Sequence, residues 1–567
     1  MLTRRTLLQL AAVSPALASA ANPAPLSVFD YSQVELLPSP LRRQFDTNHA
    51  FFLGLSEDRM LKIYRQRVGL PAPGPDMGGW YDDFCPGAHF GQYVSALARF
   101  AGATNSAPTR AKVQRLVRGY AQTLDPSGKF FVDLRYPGYT YDKLVCGLLD
   151  AHSYADDRTA LDVLSATTRA VLPHMADHAM TSEEMHQRPH KDETYTWDET
   201  YTFAENLFLA YERTGDRKYY DLGKRYLLDK GFFDPLSEGQ NVLPGLHAYS
   251  HVNALSSGIQ GYLKLGDAKY FRAVRNAVNM ILKDQSYATG GWGPNEAFVE
   301  PGKGELGASL TSTHRHFESG CGAYAHFKIM RYLLAITRES RYGDSMERML
   351  YNVALGILPI LEDGSTFYYS DYHPSAQKSY IRIIPDATYR WDKDDHWPCC
   401  SGTYPQLTAD YGISSYLRAP DGIYVNLYVP SRLTWKQGAA RCTILQETEY
   451  PSTNAIVLTV SAQTPTDFTV YLRIPNWAGK NTEVSINGRR MHEDLAPGFF
   501  PIRRQWKTGD KIEFQLDQTQ RYEPIDPQTP RQVAQLRGPQ VMFAIADGFR
   551  PFSAITNETY QTYWQAT

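Results

Sequence analysis

The sequence contains little cysteine, with six residues in a chain of 567. Small exported domains that depend on disulfides are far richer in cysteine, so we do not expect a disulfide framework to hold this fold together. A chain of this length can bury a large enough hydrophobic core without one. Two of the six, Cys399 and Cys400, are nevertheless adjacent, in the stretch HWPCCSG at 396–402. The pair therefore calls for a chemical explanation.

The chain also lacks an excess of charge of either sign. Its 58 lysines and arginines nearly balance 60 aspartates and glutamates, which gives a formal net charge of -2. Nucleic acids and anionic membranes are bound through basic surfaces, so neither is expected as a partner. A neutral partner fits better, because 38 tyrosines and nine tryptophans offer flat faces with polar edges. Such side chains are typical of carbohydrate sites and of ordinary cores alike.

Long hydrophobic runs are missing as well, so no membrane-spanning helix is predicted after the N-terminus. The first twenty residues carry Arg4 and Arg5, an apolar run from Leu7 to Val13 and a small-residue exit at Ala18-Ser19-Ala20. This pattern predicts an export signal at 1–20, by the twin-arginine or the general secretory route. We therefore expect a periplasmic or secreted protein. The sequence gives no indication of its oligomeric state.

A phrase repeats in the first two thirds of the chain. It reads LAYERTGDRKYYDLGKRYL at 209–227, GYLKLGDAKYFRAVRNAV at 261–278 and, more loosely, YLLAITRESRYGDSMERML at 332–350. Each copy consists of a helix end, a turn and the start of the next helix, so the region is predicted to be a series of helical hairpins. Hairpins of this kind stack into an open solenoid or a closed ring, and the repeat alone does not decide between them.

After Pro420 the apolar period changes from helical to alternating. The short runs predict strands separated by turns, which is typical of a β-sandwich that supports rather than performs chemistry. We therefore divide the mature chain into a helical domain at 21–418 and a β-sandwich domain at 419–567. The six runs are IYVNLYV at 423–429, AIVLTVSA at 455–462, FTVYLRIP at 468–475, EVSING at 483–488, KIEFQL at 511–516 and QVMFAI at 540–545.

The adjacent cysteines allow three interpretations. A vicinal disulfide is sterically strained but feasible, and two buried unpaired thiols are a second possibility. The third is zinc, since Cys399 and Cys400 with Cys321 and a carboxylate would supply the four ligands that it prefers. The spacing departs from the usual C-x-x-C signal, so the pattern alone leaves all three open.

A long insertion without helical periodicity interrupts the repeat just before Cys321. It reads GGWGPNEAFVEPGKGELGASLTSTHRHFESGC at 290–321. Ordered insertions in a helical scaffold tend to carry function. This one offers carboxylates and imidazoles, namely Glu296, Glu300, Glu305, Glu318, His314 and His316.

Several motifs, in one order along the chain, resemble a known family. They are GGWYDDF at 78–84, YVSALARF at 93–100, the run from Cys321 to Gly356, HWPCCSG, DGIYVNLYVPS at 421–431, VYLRIPNWA at 470–478, VSING at 484–488 and WKTGD at 506–510. Together they resemble the cysteine-dependent β-L-arabinofuranosidases of glycoside hydrolase family 127 and relatives such as family 146. The resemblance runs from about Gly78 to Gly538, and it implies an (α/α)6 barrel followed by a β-sandwich.

The resemblance also implies roles for particular residues. Cys399 falls on the nucleophile of a retaining hydrolase, and Cys321 and Cys400 fall on further ligands of the Zn²⁺ that also binds this nucleophile. Glu296 matches the general acid and base, and Glu318 the metal-binding glutamate. A thiol has a pKa near 8.5, so a zinc ion would keep Cys399 deprotonated and ready to attack an anomeric carbon.

One departure concerns the metal-binding glutamate. The family places it two residues before the cysteine, whereas this chain reads Glu318-Ser319-Gly320-Cys321. We expect a bulge at Gly320 that returns Glu318 to the metal, with His316 or a water as the alternative ligand.

Other departures concern the residues that contact the sugar. The phrase GAHFGQY at 87–93 lacks two histidines of the relatives, and Asp142 occupies a position where they offer an imidazole. Asp142 is therefore expected to contact the sugar in a changed pocket, and β-L-arabinofuranose is not to be assumed as that sugar. Further expected substrate contacts are His247, His251, Tyr369 and Trp197, the last in the phrase TYTWDETYTF at 194–203.

These observations predict an exo-acting, retaining glycoside hydrolase with a zinc-bound cysteine nucleophile. Its substrate would be the end of a plant or algal glycan, carrying β-L-arabinofuranose or an altered sugar. One alternative is a polysaccharide lyase or a hydrolase of uronic sugars on the same barrel. Another is a glycan-binding protein that has lost catalysis.

Overall fold

A computed structural model describes the chain at residues 24–187, 198–312, 316–366, 368–373, 377–381, 396–491 and 495–543. The predicted export signal at 1–20 and the predicted substrate contact Trp197 lie outside the described residues.

The larger part of the described chain is helical, and seventeen α-helices lie within the ranges given above. They are α1 Pro40–Gly54, α2 Glu57–Val68, α3 Phe90–Thr104, α4 Ala107–Ala121, α5 Pro137–Tyr154, α6 Ala160–Val171, α7 Ser182–Gln187, α8 Ala204–Thr214, α9 Arg217–Arg225, α10 Asp234–Ser237, α11 Ala248–Leu265, α12 Ala268–Asp284, α13 Glu305–Ser312, α14 Gly320–Thr337, α15 Ser340–Asn352, α16 Cys400–Ala409 and α17 Tyr411–Ser415.

Six helices form a closed inner ring. The helices α3, α5, α8, α11, α14 and α16 pack side by side in this order, and α16 returns to α3. They are largely buried because other helices surround them; every residue of α16 is buried. An outer helix packs against each of them: α4, α6, α9, α12, α15 and α1 in the same order. The predicted (α/α)6 barrel is thereby confirmed, and the ring is closed.

The repeated Gly-Asp phrase forms the turn between an inner and an outer helix. Gly215 ends α8 with a left-handed φ of 70°, which glycine adopts without steric cost. Asp216 follows as the N-cap of α9, and its side chain accepts a hydrogen bond from the backbone of Lys218. Gly266 and Asp267 do the same between α11 and α12. The inner helices α3, α5, α8, α11 and α14 are each followed by an outer helix that runs back, so these five begin at the same end of the barrel. The outer partner of α16 is α1, from the start of the chain, and the N-terminus of α16 meets that of α14, so α16 begins at this end too.

The strands are short and lie mostly after the barrel. They are β1 Ser27–Val28, β2 Val34–Leu36, β3 Trp292–Pro294, β4 His316–Phe317, β5 Tyr369–His373, β6 Gln377–Ile381, β7 Tyr416–Ala419, β8 Gly422–Val425, β9 Ser431–Gln437, β10 Ala440–Thr448, β11 Ala455–Ala462, β12 Thr466–Ile474, β13 Glu483–Ile486, β14 Arg489–Arg490, β15 Gly498–Trp506, β16 Asp510–Gln515, β17 Gln520–Pro524, β18 Val533–Arg537 and β19 Gln540–Met542.

Two sheets build the β-sandwich, one in the order β1-β7-β8-β12-β15 and one in the order β14-β13-β16-β11-β10-β9-β2. Alternate residues face the space between them, as in β16, where buried and exposed positions alternate. The N-terminal strands β1 and β2 pair with β7 and β9, although the barrel separates them in sequence. Strands of two and three residues leave too short a pattern for the sequence to predict this pairing.

Two smaller sheets complete the fold. One joins β17, β18 and β19, and the other joins β3, β4, β5 and β6 at the barrel. None of the described helices is both long and apolar enough to cross a bilayer.

A buried ion-pair cluster joins the sandwich to the barrel. Arg473 of β12 is fully buried and reaches Asp344 at 2.6 Å and Glu347 at 2.7 Å, both on the outer helix α15. Glu347 also accepts hydrogen bonds from Tyr450 and Trp477. Burial raises the pKa of Asp344 to about 6, although Arg473 opposes this rise.

Replacing Arg473 with methionine is expected to lower the free energy of unfolding by roughly 3–5 kcal/mol, because two buried carboxylates lose their cation. A carboxyl whose pKa is raised in the folded state holds a proton that the unfolded chain releases, so its contribution to stability falls as pH rises from about 4 to about 6. Removing Arg473 takes away the cation that opposes this rise, so Asp344 is still harder to ionise in the variant. The decrease in the free energy of unfolding should therefore be larger at pH 8 than at pH 5. Chemical unfolding at both pH values measures it, with Arg432→Met, at an exposed pair with Glu35, as the control.

Candidate active site at the inner helix N-termini

Three of the six cysteines converge where two inner helices begin. Cys321 lies in the first turn of α14, and Cys399 and Cys400 lie at the start of α16, which packs against α14. The Sγ atom of Cys321 is 3.2 Å from that of Cys399 and 3.4 Å from that of Cys400. All three side chains are buried, and their sulfurs lie within 4.8 Å of one another. Cys399 and Cys400 are free thiols rather than a vicinal disulfide.

This donor set fits a zinc ion. Zinc–sulfur bonds of about 2.3 Å in a tetrahedral shell place the sulfurs about 3.8 Å apart, which is about 0.4–0.6 Å more than the distances from Cys321 to Cys400 and Cys399. Both helices direct their N-termini at the cluster, and the positive end of a helix dipole favours thiolates. The Thr403 hydroxyl lies 3.2 Å from Cys321 Sγ as a further hydrogen-bond donor.

The thiols themselves show why a cation would be needed. Hydrogen bonding with Cys321 and Cys400, together with burial, raises the pKa of Cys399, and burial raises that of Cys321. Burial also opposes ionisation of Cys400, but hydrogen bonds from Cys321 and Cys399 lower its pKa. Burial opposes ionisation at all three thiols, and a second thiolate would repel the first, so a cation is needed to keep them ionised together.

The structure places Glu318 beside this cluster rather than in it. Ser319 is the N-cap of α14 and Gly320 is its first residue, so the predicted bulge at Gly320 is wrong. The Glu318 carboxylate accepts hydrogen bonds from the hydroxyls of Thr289 and Ser370, the latter at 2.6 Å. Among the described residues, the side chains whose ligand atoms converge are the three cysteines alone. Metal binding by Glu318 therefore stays a prediction.

His316, the alternative ligand, lies deep in the same region. It is fully buried, and its Nδ1 lies 3.2 Å from the carbonyl oxygen of Ser370. Its ring meets that of Tyr287 edge to face.

Glu296 lies on a tight turn directly after β3. Asn295 and Glu296 have left-handed φ values of 58° and 56°, which cost energy for residues other than glycine and are typical of functional sites. The turn is fastened to α11, because the backbone of Ala248 donates a 2.7 Å hydrogen bond to the Glu296 carbonyl. The side chain itself is 16% exposed, so it can reach a bound molecule.

A histidine connects Glu296 to a second carboxylate. Nδ1 of His247 lies 2.9 Å from Glu199, and its Nε2 lies 3.8 Å from the Glu296 carboxylate. Burial alone would lower the pKa of His247, but Glu199 and Glu296 raise it to about 10. We refer to Glu199, His247 and Glu296 as the carboxylate–imidazole triad.

A tyrosine lies between the cysteine cluster and Glu296. The Tyr368 hydroxyl is 3.9 Å from Cys399 Sγ. Burial raises its pKa, and the nearby Cys399 and Glu296 raise it further. Tyr139 and Tyr249 stand nearby, and in both the pKa is raised by burial with a contribution from Cys399. The three cysteine sulfurs, Glu296 and three phenols thus share one site at the N-terminal end of the inner ring.

Comparison with known families decides the identity of this fold and site. A model of the catalytic domain of β-L-arabinofuranosidases of family GH127 matches residues 33–412, and a model of the middle domain of the same enzymes matches residues 422–518. The chain belongs to glycoside hydrolase family 127. It is a glycoside hydrolase, as predicted.

Solved structures of family 127 have the same fold. A GH127 β-L-arabinofuranosidase from Geobacillus stearothermophilus T6 superposes with a TM-score of 0.67 at 21% identity, covering 90% of this chain and 86% of that one. For a second GH127 β-arabinofuranosidase the TM-score is 0.70 at 19% identity, with 92% and 85% covered. Comparison with curated proteins gave no match.

The residues expected to recognise the sugar of this family 127 enzyme lie around the same end of the barrel. The Asp142 carboxylate accepts 2.6 Å hydrogen bonds from Lys143 and from Asn206, so it neutralises a buried lysine. His251 is buried, with Nδ1 2.8 Å from the carbonyl oxygen of His247. Burial lowers the pKa of His251 to about 4. Direct contact of Asp142, His247 or His251 with a sugar stays a prediction.

Two residues of the family 127 site were missed from the sequence. Tyr368 contacts Cys399, and its ring meets that of Tyr369 edge to face. The sequence pointed only to Tyr369, and contact of Tyr369 with a sugar stays a prediction. Glu199 lies in the phrase TYTWDETYTF, which was quoted above for Trp197, and the acidic residues of this phrase were the one signal for a partner to His247.

Proposed function

We propose that this family 127 enzyme is a retaining, exo-acting glycosidase that removes a terminal pentofuranose, β-L-arabinofuranose in the first instance, by means of a cysteine nucleophile. The observation that carries the proposal is the convergence of Cys321, Cys399 and Cys400 beside Glu296 in a family 127 barrel. The two relatives named above are arabinofuranosidases by name. Membership of a hydrolase family favours this reading over the lyase and over the non-catalytic binding protein.

In the first step, Cys399 Sγ attacks the anomeric carbon as a thiolate. The new C–S bond forms while the bond from the anomeric carbon to the departing oxygen breaks, and the Glu296 carboxyl gives its proton to that oxygen. Tyr368, 3.9 Å from the sulfur, is positioned to orient it.

In the second step, a water molecule attacks the same carbon. The C–S bond breaks and its electron pair returns to Cys399 Sγ, while the Glu296 carboxylate takes the proton of the water. Two displacements at one carbon retain its configuration.

The residues that would hold zinc are Cys321, Cys399 and Cys400, with Glu318 predicted as the fourth. When bound, the ion supplies the positive charge that keeps the sulfurs ionised and helps Cys399 to leave in the second step. Cys321 and Cys400 then position the nucleophile rather than touch the substrate.

We also propose that the enzyme acts outside the cytoplasm. The support is the sequence pattern at 1–20 together with the polymeric nature of the expected glycan substrate. Fractionation of producing cells tests this, and enzyme found only in the cytoplasm at full length would refute it.

Metal content and product configuration test the proposed chemistry. Purified enzyme is expected to contain about one zinc per chain, because one cluster of thiol ligands lies in the described structure. Early hydrolysis of 4-nitrophenyl β-L-arabinofuranoside, followed by proton NMR, should release the β anomer first. Cys321→Ser should lose the zinc. Cys442→Ser, at a buried cysteine of the sandwich strand β10, should keep it.

A first product of the opposite anomer would contradict the retaining mechanism. Zinc that stays bound in Cys321→Ser would contradict the assignment of the metal site. Turnover of the aryl arabinofuranoside no faster than the uncatalysed rate would exclude this sugar as the substrate.

A further inference from the structure

The acidic phrase Asp198-Glu199 has no role in the mechanism above, yet both carboxylates are buried at the active-site end of the barrel. Asp198 accepts a 3.0 Å hydrogen bond from the backbone of Tyr139, in the first turn of α5. It therefore caps an inner helix that carries a phenol of the site. Glu199 points instead toward His247 and, through it, toward Glu296.

We propose that Glu199 is a positioning residue for the acid and base step, which holds His247 as an imidazolium and through it fixes the orientation and charge balance of Glu296. This inference rests on the proposed role of Glu296. It assigns to Glu199 and His247 a function other than contact with the sugar.

The positions of the two ring nitrogens support an imidazolium. Nδ1 of His247 lies 2.9 Å from the Glu199 carboxylate, so the proton on Nδ1 is donated to it. Nε2 faces the Glu296 carboxylate at 3.8 Å. A neutral imidazole has only one N–H, whereas two nitrogens that face two carboxylates favour the doubly protonated ring. Hydrogen bonds at active sites are often long before the substrate binds, and 3.8 Å agrees with such a state.

The ring is held in place from its own helix as well. The Ser250 hydroxyl lies 2.9 Å from His247 Nδ1 and 2.9 Å from the Tyr201 hydroxyl. His247 therefore has little freedom to turn away from Glu199. The backbone of Ala297 also pairs with that of His247, which ties the Glu296 turn to the segment that carries the ring.

The charged groups around His247 leave it as the cation of the triad. Glu199 and Glu296 face it from two different segments. Lys143, on α5, also interacts electrostatically with Glu199, but its ammonium is paired with Asp142 at 2.6 Å. His251, on the same helix as His247, is neutral because burial lowers its pKa to about 4.

This arrangement suits a group that must alternate between acid and base. When Glu296 gives its proton to the departing oxygen, its new negative charge forms beside the fixed positive charge of His247. When Glu296 takes a proton from water, that charge disappears again. His247 keeps its own proton throughout, so no additional proton acceptor is required.

The titration of His247 tests the pairing without any substrate. In protein labelled with ¹³C at histidine, the His247 signal, assigned by its loss in His247→Gln, should remain that of an imidazolium up to about pH 9. In Glu199→Gln its midpoint should fall by about 1–3 units, since a carboxylate within 4–6 Å has an effect of this size. Glu184→Gln is the matched control, because Glu184 pairs with His178 at 3.1 Å on the surface, where both side chains are exposed.

The dependence on the leaving group tests the effect on Glu296. Poor leaving groups need the acid, whereas a nitrophenolate does not. Glu199→Gln should therefore lose roughly 10- to 100-fold in kcat/KM on methyl β-L-arabinofuranoside, and no more than a few-fold on the 4-nitrophenyl glycoside. Glu199→Asp, which keeps the carboxylate, should recover part of the loss, and Glu184→Gln should behave like the wild type.

Failure of this inference is distinguishable from failure of the proposed function. An unchanged midpoint of His247 in Glu199→Gln, or an equal loss on both glycosides, would overturn the positioning role. If Glu296→Gln itself showed no dependence on the leaving group, the proposed function would fail, while the titration of His247 would still decide whether Glu199 holds the imidazolium.

Discussion

Replacing Cys399 with serine is expected to lower kcat by roughly 10³-fold or more while the fold remains intact. The change removes one sulfur and adds no volume to a side chain that is only 7% exposed. A serine hydroxyl stays protonated at neutral pH, whereas a thiol beside a cation is largely ionised. Steady-state hydrolysis of 4-nitrophenyl β-L-arabinofuranoside measures the loss, and the thermal unfolding midpoint reports the fold.

Cys442→Ser is the control for this experiment, because Cys442 is equally a buried free thiol but lies in the sandwich. It should retain full activity. Activity of Cys399→Ser within a few-fold of the wild type would rule out Cys399 as the nucleophile. The zinc content of the variant separates loss of the nucleophile from loss of the metal.

Replacing Glu296 with glutamine is expected to cost about 10²–10⁴-fold in kcat. The amide has nearly the same shape but neither gives a proton to the departing oxygen nor takes one from water. The loss on an activated aryl glycoside should concentrate in the second step, because the first needs little acid. A rapid release of nitrophenol followed by slow turnover, observed by stopped flow, is the expected result.

Glu300→Gln provides the matched control for Glu296. It lies four positions further along the same insertion and is exposed, so its amide should leave kcat unchanged. If Glu300→Gln lost activity and Glu296→Gln kept it, the acid and base would have been assigned to the wrong glutamate.

The architecture was largely predictable from local signals. The Gly-Asp turns at 215–216 and 266–267 predicted helical hairpins, because left-handed glycine ends one helix and aspartate caps the next. Closure of the ring was predicted only through the family resemblance, since it depends on the packing of α16 against α3, about 300 residues apart. The pairing of β1 and β2 with the sandwich was not predicted, because strands this short have no period.

The site was predictable where chemistry alone selects the residue types. Cys321, Cys399 and Cys400 were expected together, and the structure brings their sulfurs within 4.8 Å. Gly320 was misjudged as a bulge, although Ser319 before it is a typical N-cap and predicts a helix that starts at Gly320. Glu199 was not predictable as a partner of His247, because their contact depends on how two segments 48 residues apart in sequence meet.

The most direct test of a cysteine nucleophile is mass spectrometry of the Glu296→Gln variant during turnover of 4-nitrophenyl β-L-arabinofuranoside. The first step still proceeds with this leaving group and the second is slow, so the intermediate should accumulate. After denaturation and digestion, the peptide that contains Cys399 is predicted to carry the mass of one anhydropentose on its sulfur. A sugar found on a carboxylate, or an unmodified Cys399 in a sample that has released nitrophenol, would contradict the mechanism.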